Sequence, residues 1–382
     1  MSDMQDIFNN FGIYLHVPFC VRNCDYCRFY KLSPTSEILD RYIDTISREI
    51  NLCRIENGGD IPRPQTMFWG GGTPSLLPER HIESLAGSLG GLLPSLEWTV
   101  EVAPTNATRP KLAALKNLGV TRISMGVQSF NERTLKTLGR KHTLKATMEA
   151  VERVADAGFP HFSIDLIFGA ENQTREEWID DVRKAASLPV DHISAYCLEF
   201  ESATSCCAGR LAEADYERSD REGDFLEIAM SLLPELGFEQ YEISNYAKKG
   251  GRCLHNLSTW HMAQWLGLGA AAASQWRGLR RKNAPDFDAW CGGIAAAKPK
   301  YVDVVKLDDD EMFSSALIFG LRMADGVDFR LLAKRFPHAK AEKYVRPIDF
   351  LKSQGLLKEE NGRLKLTRRG MLVGDAVSVE LL

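Results

Sequence analysis

The chain has 382 residues, 44% hydrophobic and 26% charged, an ordinary globular composition with length for one large domain and a smaller one. Its net charge of −4 excludes nucleic acid as the main partner, because phosphate-reading surfaces carry a basic excess and the run RRK at 280–282 is too short to supply one. No stretch reaches the ~20 apolar residues of a membrane span, and the polar, acidic opening MSDMQDIFNNFG reads as neither signal nor transit peptide, so a cytoplasmic location is expected.

Taken in chain order, short apolar runs alternate with helical patterns. The strands expected are GIYLHV (12–17), TMFWG (66–70), WTVEV (98–102), RISMGV (122–127), FSIDLIF (162–168) and HISAYCL (192–198). Amphipathic stretches such as TSEILDRYIDTISREI and LKATMEAVERVADAG lie between them, the latter ending at Gly158, a C-cap, with Pro160 following. Six strand–helix units in series imply a parallel sheet, and near-continuous apolar strands imply one covered on both faces. A doubly wound sheet and a barrel both satisfy this pattern. Polar residues at or just after the strand ends (the cysteines after GIYLHV, the glycines after TMFW, Glu101, Gln128, Asp165 and Glu199) favour a partial barrel of six units, whose mouth would gather them.

After residue 240 the pattern changes, and HNLSTWHMAQWLGLGAAAASQW shows no clear period. From about 300 a separate unit is expected, with helices near 309–323 and 328–335 and a hairpin around Asn361–Gly362. That is a small α+β, winged-helix-like cap with a packing role. The expected organisation is therefore 1–240 as the partial barrel, 241–300 as a linker or extension, and 301–382 as the cap.

Nine cysteines, an odd number at irregular spacing, point to metal or redox chemistry rather than a disulfide framework. Cys20, Cys24 and Cys27 stand as C-x3-C-x2-C. Such soft thiolates select zinc, copper(I) or iron–sulfur clusters. Structural zinc wants four closed ligands, and cysteines 53, 197, 206, 207, 253 and 291 form no second pair at that spacing. Three ligands leave one position open, as a reactive centre requires, and Phe19, Tyr26, Phe29 and Tyr30 would shield a cluster. The plainer reading is three incidental cytosolic thiols.

C-x3-C-x2-C with an aromatic before the last cysteine resembles the signature of radical S-adenosylmethionine enzymes. The resemblance implies a [4Fe–4S] cluster on Cys20, Cys24 and Cys27 whose fourth iron is chelated by S-adenosylmethionine. YLHVPFC, WGGGTPSLL, GVQSF, LGRKH, SIDLIFG and DHISAY further resemble the family of oxygen-independent coproporphyrinogen III oxidase and its relative, the HemW-type heme chaperone, over nearly the whole chain. Carried over by position, Tyr14, Tyr26, Gly71, Gly72, Thr73, Glu101, Gln128, Arg140 and Asp165 match residues of that family at the S-adenosylmethionine site. A glycine loop permits close backbone approach, the two acids suit hydroxyl or ammonium groups, and a guanidinium suits a carboxylate. Taken singly, GGGTP is a tight turn and a strand-end Asp a cap or ion-pair partner.

Three features separate oxidase from chaperone within this resemblance. The oxidase's fourth cysteine, in C-x3-C-x2-C-x-C, is replaced here by Phe29. The stretch before Cys20 is short, and HNLSTW resembles the chaperone's H-N-x-x-Y-W. All three imply the chaperone branch, with heme or another tetrapyrrole as cargo. An electron donor such as flavodoxin or ferredoxin, a hemoprotein recipient at the inner membrane, and a monomeric or homodimeric state are further expectations. His255 is the expected heme ligand and Trp260 a surface for the macrocycle, with Cys206, Cys207 and Cys253 as other candidate ligands. The plainer reading of His255 is an imidazole hydrogen-bonded inside a loop. The chain departs from the pattern at Thr259, Ala103 and FGAENQT, which puts weight on a divergent tetrapyrrole role as the alternative.

Overall fold

The computed structural model describes residues 11–21, 27, 30–59, 61–198 and 213–382, without the side chains of 213–220. Cys24, Tyr26, Phe29, Glu199, Cys206 and Cys207 therefore lie outside the described residues. The six expected strands are present as β1 (Phe11–Val17), β2 (Thr66–Gly71), β3 (Glu97–Val102), β4 (Arg122–Gln128), β5 (His161–Phe168) and β6 (His192–Cys197). They pair in parallel in strict chain order. A doubly wound sheet would reverse direction at a switch point, whereas an unbroken 1-to-6 progression is that of a barrel.

Among the described residues the barrel does not close. Six further strands are β7 (Glu239–Gln240), β8 (Asn245–Ala247), β9 (Gln264–Leu268), β10 (Ala273–Trp276), β11 (Leu279–Asn283) and β12 (Tyr301–Lys306). They extend the sheet to twelve strands, in the order β12-β11-β10-β9-β1 on one side and β6-β8-β7 on the other. Residues 241–300, read from the sequence as a linker, thus supply four strands of the sheet and two helices, Leu254–Trp260 and Phe287–Ala295.

Why the crossovers are helical is legible locally. Thr35, Thr108, Thr143 and Thr174 each accept a hydrogen bond from the N–H three residues on, satisfying donors that a helix start leaves open. Gly158 ends the helix Leu144–Ala157 with φ +65°, the left-handed cap that glycine adopts without penalty. These helices cover one face of the sheet, onto which Ile13, Leu15, Met67, Trp69, Trp98, Val100, Ile123, Met125, Ile164 and Leu166 are buried.

The second face departs from the expectation of near-continuous apolar strands. Alternate positions there carry Tyr14, His16, Thr66, Phe68, Glu97, Thr99, Glu101, Arg122, Ser124, Ser163, Asp165, His192 and Ser194, in register across the six strands. Strand side chains alternate in direction, so these form one polar interior wall. Most of its members satisfy one another, which makes such a wall tolerable, while Thr99 Oγ1 and His192 Nδ1 are buried without a hydrogen-bond partner among the described residues.

A second core of Phe313, Leu317, Leu321, Leu332, Tyr344, Leu351, Leu364 and Leu366 organises the C-terminal unit. Its helices span Asp309–Arg322, Phe329–Arg335 and Val345–Ser353, and its hairpin pairs β13 (Leu357–Glu360) with β14 (Arg363–Leu366). Asn361 and Gly362 both have positive φ (+53° and +74°), as a two-residue turn matching strand twist demands.

Candidate functional site

At the C-terminal end of β1 the chain enters the cysteine loop, which begins with two backbone clips: Cys20 N–H donates to Leu32 O (3.0 Å) and Leu32 N–H to Pro18 O (2.6 Å). The loop after β2 docks on it. Gly72 N–H donates to Val17 O (2.9 Å) and Thr73 N–H to Phe19 O (2.8 Å), and Thr73 Oγ1 lies 3.9 Å from Cys20 Sγ. Cys20 and Cys27 are half-buried and are not joined by a disulfide. Lys31 Nζ donates to Cys27 O (3.0 Å).

Glycine is required in this cradle. A side chain on Gly71, with φ +106°, would strike the His16 ring, and one on Gly72 would meet Phe19 O at 2.5 Å. On Gly70 it would meet the Phe68 ring at 2.8 Å and Glu101 Oε1 at 3.1 Å. Glu101 accepts from Gly71 N–H (3.2 Å), so the carboxyl is tied to the loop it faces. Burial, and then the charge of Asp165, push Glu101 up to about 8. Asp165 accepts from Ser124 Oγ (3.1 Å) and is raised to about 6 by burial, while Ser194, Ser124 and the Arg140 charge act the other way. Two carboxyls thus sit half-desolvated on β3 and β5, either side of β4, at values where a cationic ligand would ionise them.

Gln128 is buried with φ +72° at a bulge in β4. Its amide folds back over Gly126, where a Cβ would lie 2.7 Å from Nε2. Asp181, on the helix Arg175–Ala186, holds the segment that follows: it accepts from Ser129 Oγ (2.6 Å) and Phe130 N–H (2.5 Å). His16 does the same for Tyr14. The Tyr14 hydroxyl lies 3.0 Å from Nδ1, while Nε2 lies 3.3 Å from Tyr30 O, which fixes Nε2 as the donor and Nδ1 as the acceptor. Burial lowers His16 to about 4, so it is neutral, and burial raises Tyr14. His16, Ser124 and Asp181 were not singled out by sequence. The signal for His16 was its place two residues from Tyr14 on one strand face; Asp181 gave none, since only folding brings its helix to β4.

The structure therefore brings together Tyr14, Cys20, Gly71, Gly72, Thr73, Glu101, Gln128, Arg140 and Asp165 around the C-terminal ends of five strands and the turn at Arg140. Tyr26 and Cys24 fall outside the described residues. The donors fit an iron–sulfur cluster and a zwitterionic, ribose-bearing ligand: thiols carried on one loop, a glycine cradle that a side chain would fill, and two acids whose ionisation awaits a cation.

The opposite, N-terminal end of the same polar wall is closed. Arg122, fully buried, donates to Glu97 (3.1 Å), Ser163 Oγ (3.1 Å) and Arg252 O (3.1 Å). The other Glu97 oxygen accepts from the Cys253 thiol (3.4 Å) and from His255 N–H (3.0 Å). His255 Nδ1 lies 2.9 Å from Thr66 Oγ1, its ring sits 5.5 Å from that of Phe68, and burial lowers it to about 4. Burial pushes the Cys253 thiol up to about 12, which keeps it protonated and a poor metal ligand. Trp260 is five residues further along the helix Leu254–Trp260, about 140° around its axis, and faces the C-terminal unit: Arg322 stacks over it at 4.8 Å and Phe319 meets it edge-on at 5.6 Å. His255 and Trp260, expected to share one ligand, are thus divided between the barrel floor and an outer cleft.

Comparison with known proteins adds the following. The family model of the Radical SAM superfamily matches residues 14–185, and that of the HemN C-terminal domain matches 307–373. The chain is 33% identical over 372 residues to the heme chaperone HemW of Bacillus subtilis, covering 95% of this chain and 97% of that one. It is 34% identical to the heme chaperone HemW of Escherichia coli, over 68% of this chain and 69% of the other. The solved structure of coproporphyrinogen III oxidase (HemN) from Escherichia coli superposes with a TM-score of 0.82 at 19% identity, covering all of this chain and 92% of that one. At that identity the likeness concerns the fold.

Proposed function

Because the chain belongs to the HemW family of radical S-adenosylmethionine proteins, we propose that it is a cytoplasmic heme carrier that retains a cluster and S-adenosylmethionine site and delivers heme to hemoproteins. Full-length similarity to the Bacillus subtilis heme chaperone is the observation that carries this reading. Cys20, Cys24 and Cys27 would hold the [4Fe–4S] cluster, with Gly71, Gly72, Thr73, Glu101, Gln128, Arg140 and Asp165, and with Tyr14 and Tyr26, around the S-adenosylmethionine. When bound, that pair supplies one-electron reductive chemistry; the protein's own residues bind, orient and exclude water.

Tyr14 is held by His16 facing the Phe68 ring (6.3 Å between centroids). Glu101 presents an oxygen beside the glycine loop, where an ammonium would displace its proton. Asp165, oriented by Ser124, is placed to accept from a ribose hydroxyl. The reducing electron would come from a flavodoxin or ferredoxin. No helix among the described residues is long and apolar enough to cross a membrane, so a recipient at the membrane would be met from its surface. An oxidase reading shares the fold, but Phe29 occupies the position of that enzyme's fourth cysteine.

The test is an anaerobic hemin titration of the cluster-reconstituted protein followed by absorbance. Saturation near one heme per chain is expected. Non-saturating absorbance, together with conversion of coproporphyrinogen III, would replace the carrier with the oxidase.

A further inference from the structure

The geometry points to the cleft between the end of the helix Leu254–Trp260 and the C-terminal unit as a binding site for the carboxylate-bearing edge of a tetrapyrrole, with Arg335 and Arg363 as the carboxylate receptors. This rests on the heme-carrier reading above and names where the cargo would sit.

The cleft is shallow and open, and its roughly 480 Å³ of empty space includes the solvent at its mouth, so it could take only the edge of a planar ligand. Its walls are of two kinds. Trp260, Leu331 and Leu332 line it with apolar surface, and Leu331 is 46% exposed, far more than a residue of a closed core. Arg335, Arg363 and His261 supply cationic and imidazole groups in the same space, and the charges of Asp325 and both guanidinium groups act on His261. Arg363 already donates from Nε to Asp325 O and from Nη2 to Gly326 O (2.6 Å each), which leaves Nη1 for a carboxylate. The indole N–H of Trp260 is buried without a hydrogen-bond partner in the structure, which a buried donor seldom is. Asp328 also lines the cleft, but its carboxylate accepts from Leu331 N–H (2.8 Å) as the cap of the helix Phe329–Arg335.

A ligand that satisfies both walls has a flat apolar body and anionic substituents at one edge. Guanidinium is the side chain best matched to carboxylate, and Trp260 offers the aromatic surface. His255 offers none of this. It is 7% exposed, its Nδ1 is engaged by Thr66, and it lies in the floor of the barrel rather than in the cleft.

The experiment is the hemin titration repeated on full-length reconstituted protein carrying Arg335→Gln, Leu331→Glu or His255→Ala, each also with hemin whose two propionates are esterified. Leu331→Glu guards against misfolding, because the residue is exposed and the change adds only a repelling charge at the rim. Iron content and S-adenosylmethionine cleavage serve as folding checks. Expected are an affinity loss of about tenfold or more for Arg335→Gln and for Leu331→Glu, a similar loss for the ester on the wild type, and no further loss for the ester on Arg335→Gln. His255→Ala should keep wild-type hemin affinity. If the wild type saturates but these variants and the ester bind unchanged, the cleft is not the site, and the carrier reading survives it. If the wild type itself fails to saturate, the carrier reading falls and the cleft proposal with it.

Discussion

At Gly72 a single missing Cβ decides whether the loop after β2 can lie against the cysteine loop, because the atom would meet Phe19 O at 2.5 Å and that carbonyl is pinned by Thr73 N–H. Gly72→Ala is expected to cut both iron uptake and S-adenosylmethionine binding at least tenfold, measured by iron content and equilibrium dialysis; unchanged binding would mean the two loops part easily. Glu101 makes a pH-dependent prediction. Its carboxyl titrates near 8 in the folded protein against 4.5 ordinarily, so the native state holds the extra proton between those values. Stability then falls as pH rises through that window, by at most about 1.4 kcal/mol per unit from this group, and Glu101→Gln should flatten the slope in thermal scans. If the methionine ammonium meets this carboxyl, binding at pH 7 releases a proton. Calorimetry in buffers of different ionisation enthalpy would detect it, and buffer-independent heats would remove Glu101 from the cation's contacts. Asp181 belongs here too. Asp181→Ala frees Ser129 and Phe130 N–H, and is expected to weaken S-adenosylmethionine binding through Gln128 while leaving iron content unchanged.

The elements that matter most are two short ones, the helix Leu254–Trp260 and the strand pair β3–β4 beneath it. Glu97 and Arg122 form a buried ion pair that also receives Cys253 and His255 from the helix. Removing one partner leaves an uncompensated buried charge, for which about 3–5 kcal/mol is typical. Arg122→Met should therefore lower thermal stability by that order, whereas the joint replacement of Glu97 and Arg122 by apolar residues should recover much of the loss. If the single variant is as stable as the wild type, the floor is not held by this pair. His255→Ala belongs to the same element and is expected to act on stability, through Thr66 and the Phe68 contact.

Across the whole molecule, one open sheet and one appended core meet through Met262 within the second core, Trp260 against Phe319, and the Arg322–Glu242 pair at 3.6 Å with Glu242 fully buried. Polar links between them include Ala324 N–H to Tyr241 O (3.0 Å), Arg280 to Ser315 Oγ and Arg368 to Ser231 Oγ. Arg322 serves both partners, stacking on Trp260 while neutralising Glu242. Arg322→Ala is expected to cost about 1–3 kcal/mol and to uncouple the units, so that calorimetry shows two transitions where the wild type shows one. A single transition in the variant would mean that the remaining contacts join them without Arg322.

The amino-acid sequence by itself determined the features whose physics is local: six apolar runs of strand length, threonine caps and a glycine stop around the crossovers, the Asn361–Gly362 turn, and three clustered thiols with no fourth to close a structural site. It also placed polar residues late in those strands, which singled out Glu101, Gln128 and Asp165. What only the tertiary structure decided rests on contacts between distant segments. Whether the sheet closes depends on strands β8 to β12, contributed after residue 240. That the interior wall is polar follows from cross-strand register, and that its acids titrate high follows from burial by other strands. The separation of His255 from Trp260 has the same origin: five residues are neighbours along the chain, but a helix turns them toward different partners, and only those partners distinguish a floor from a cleft.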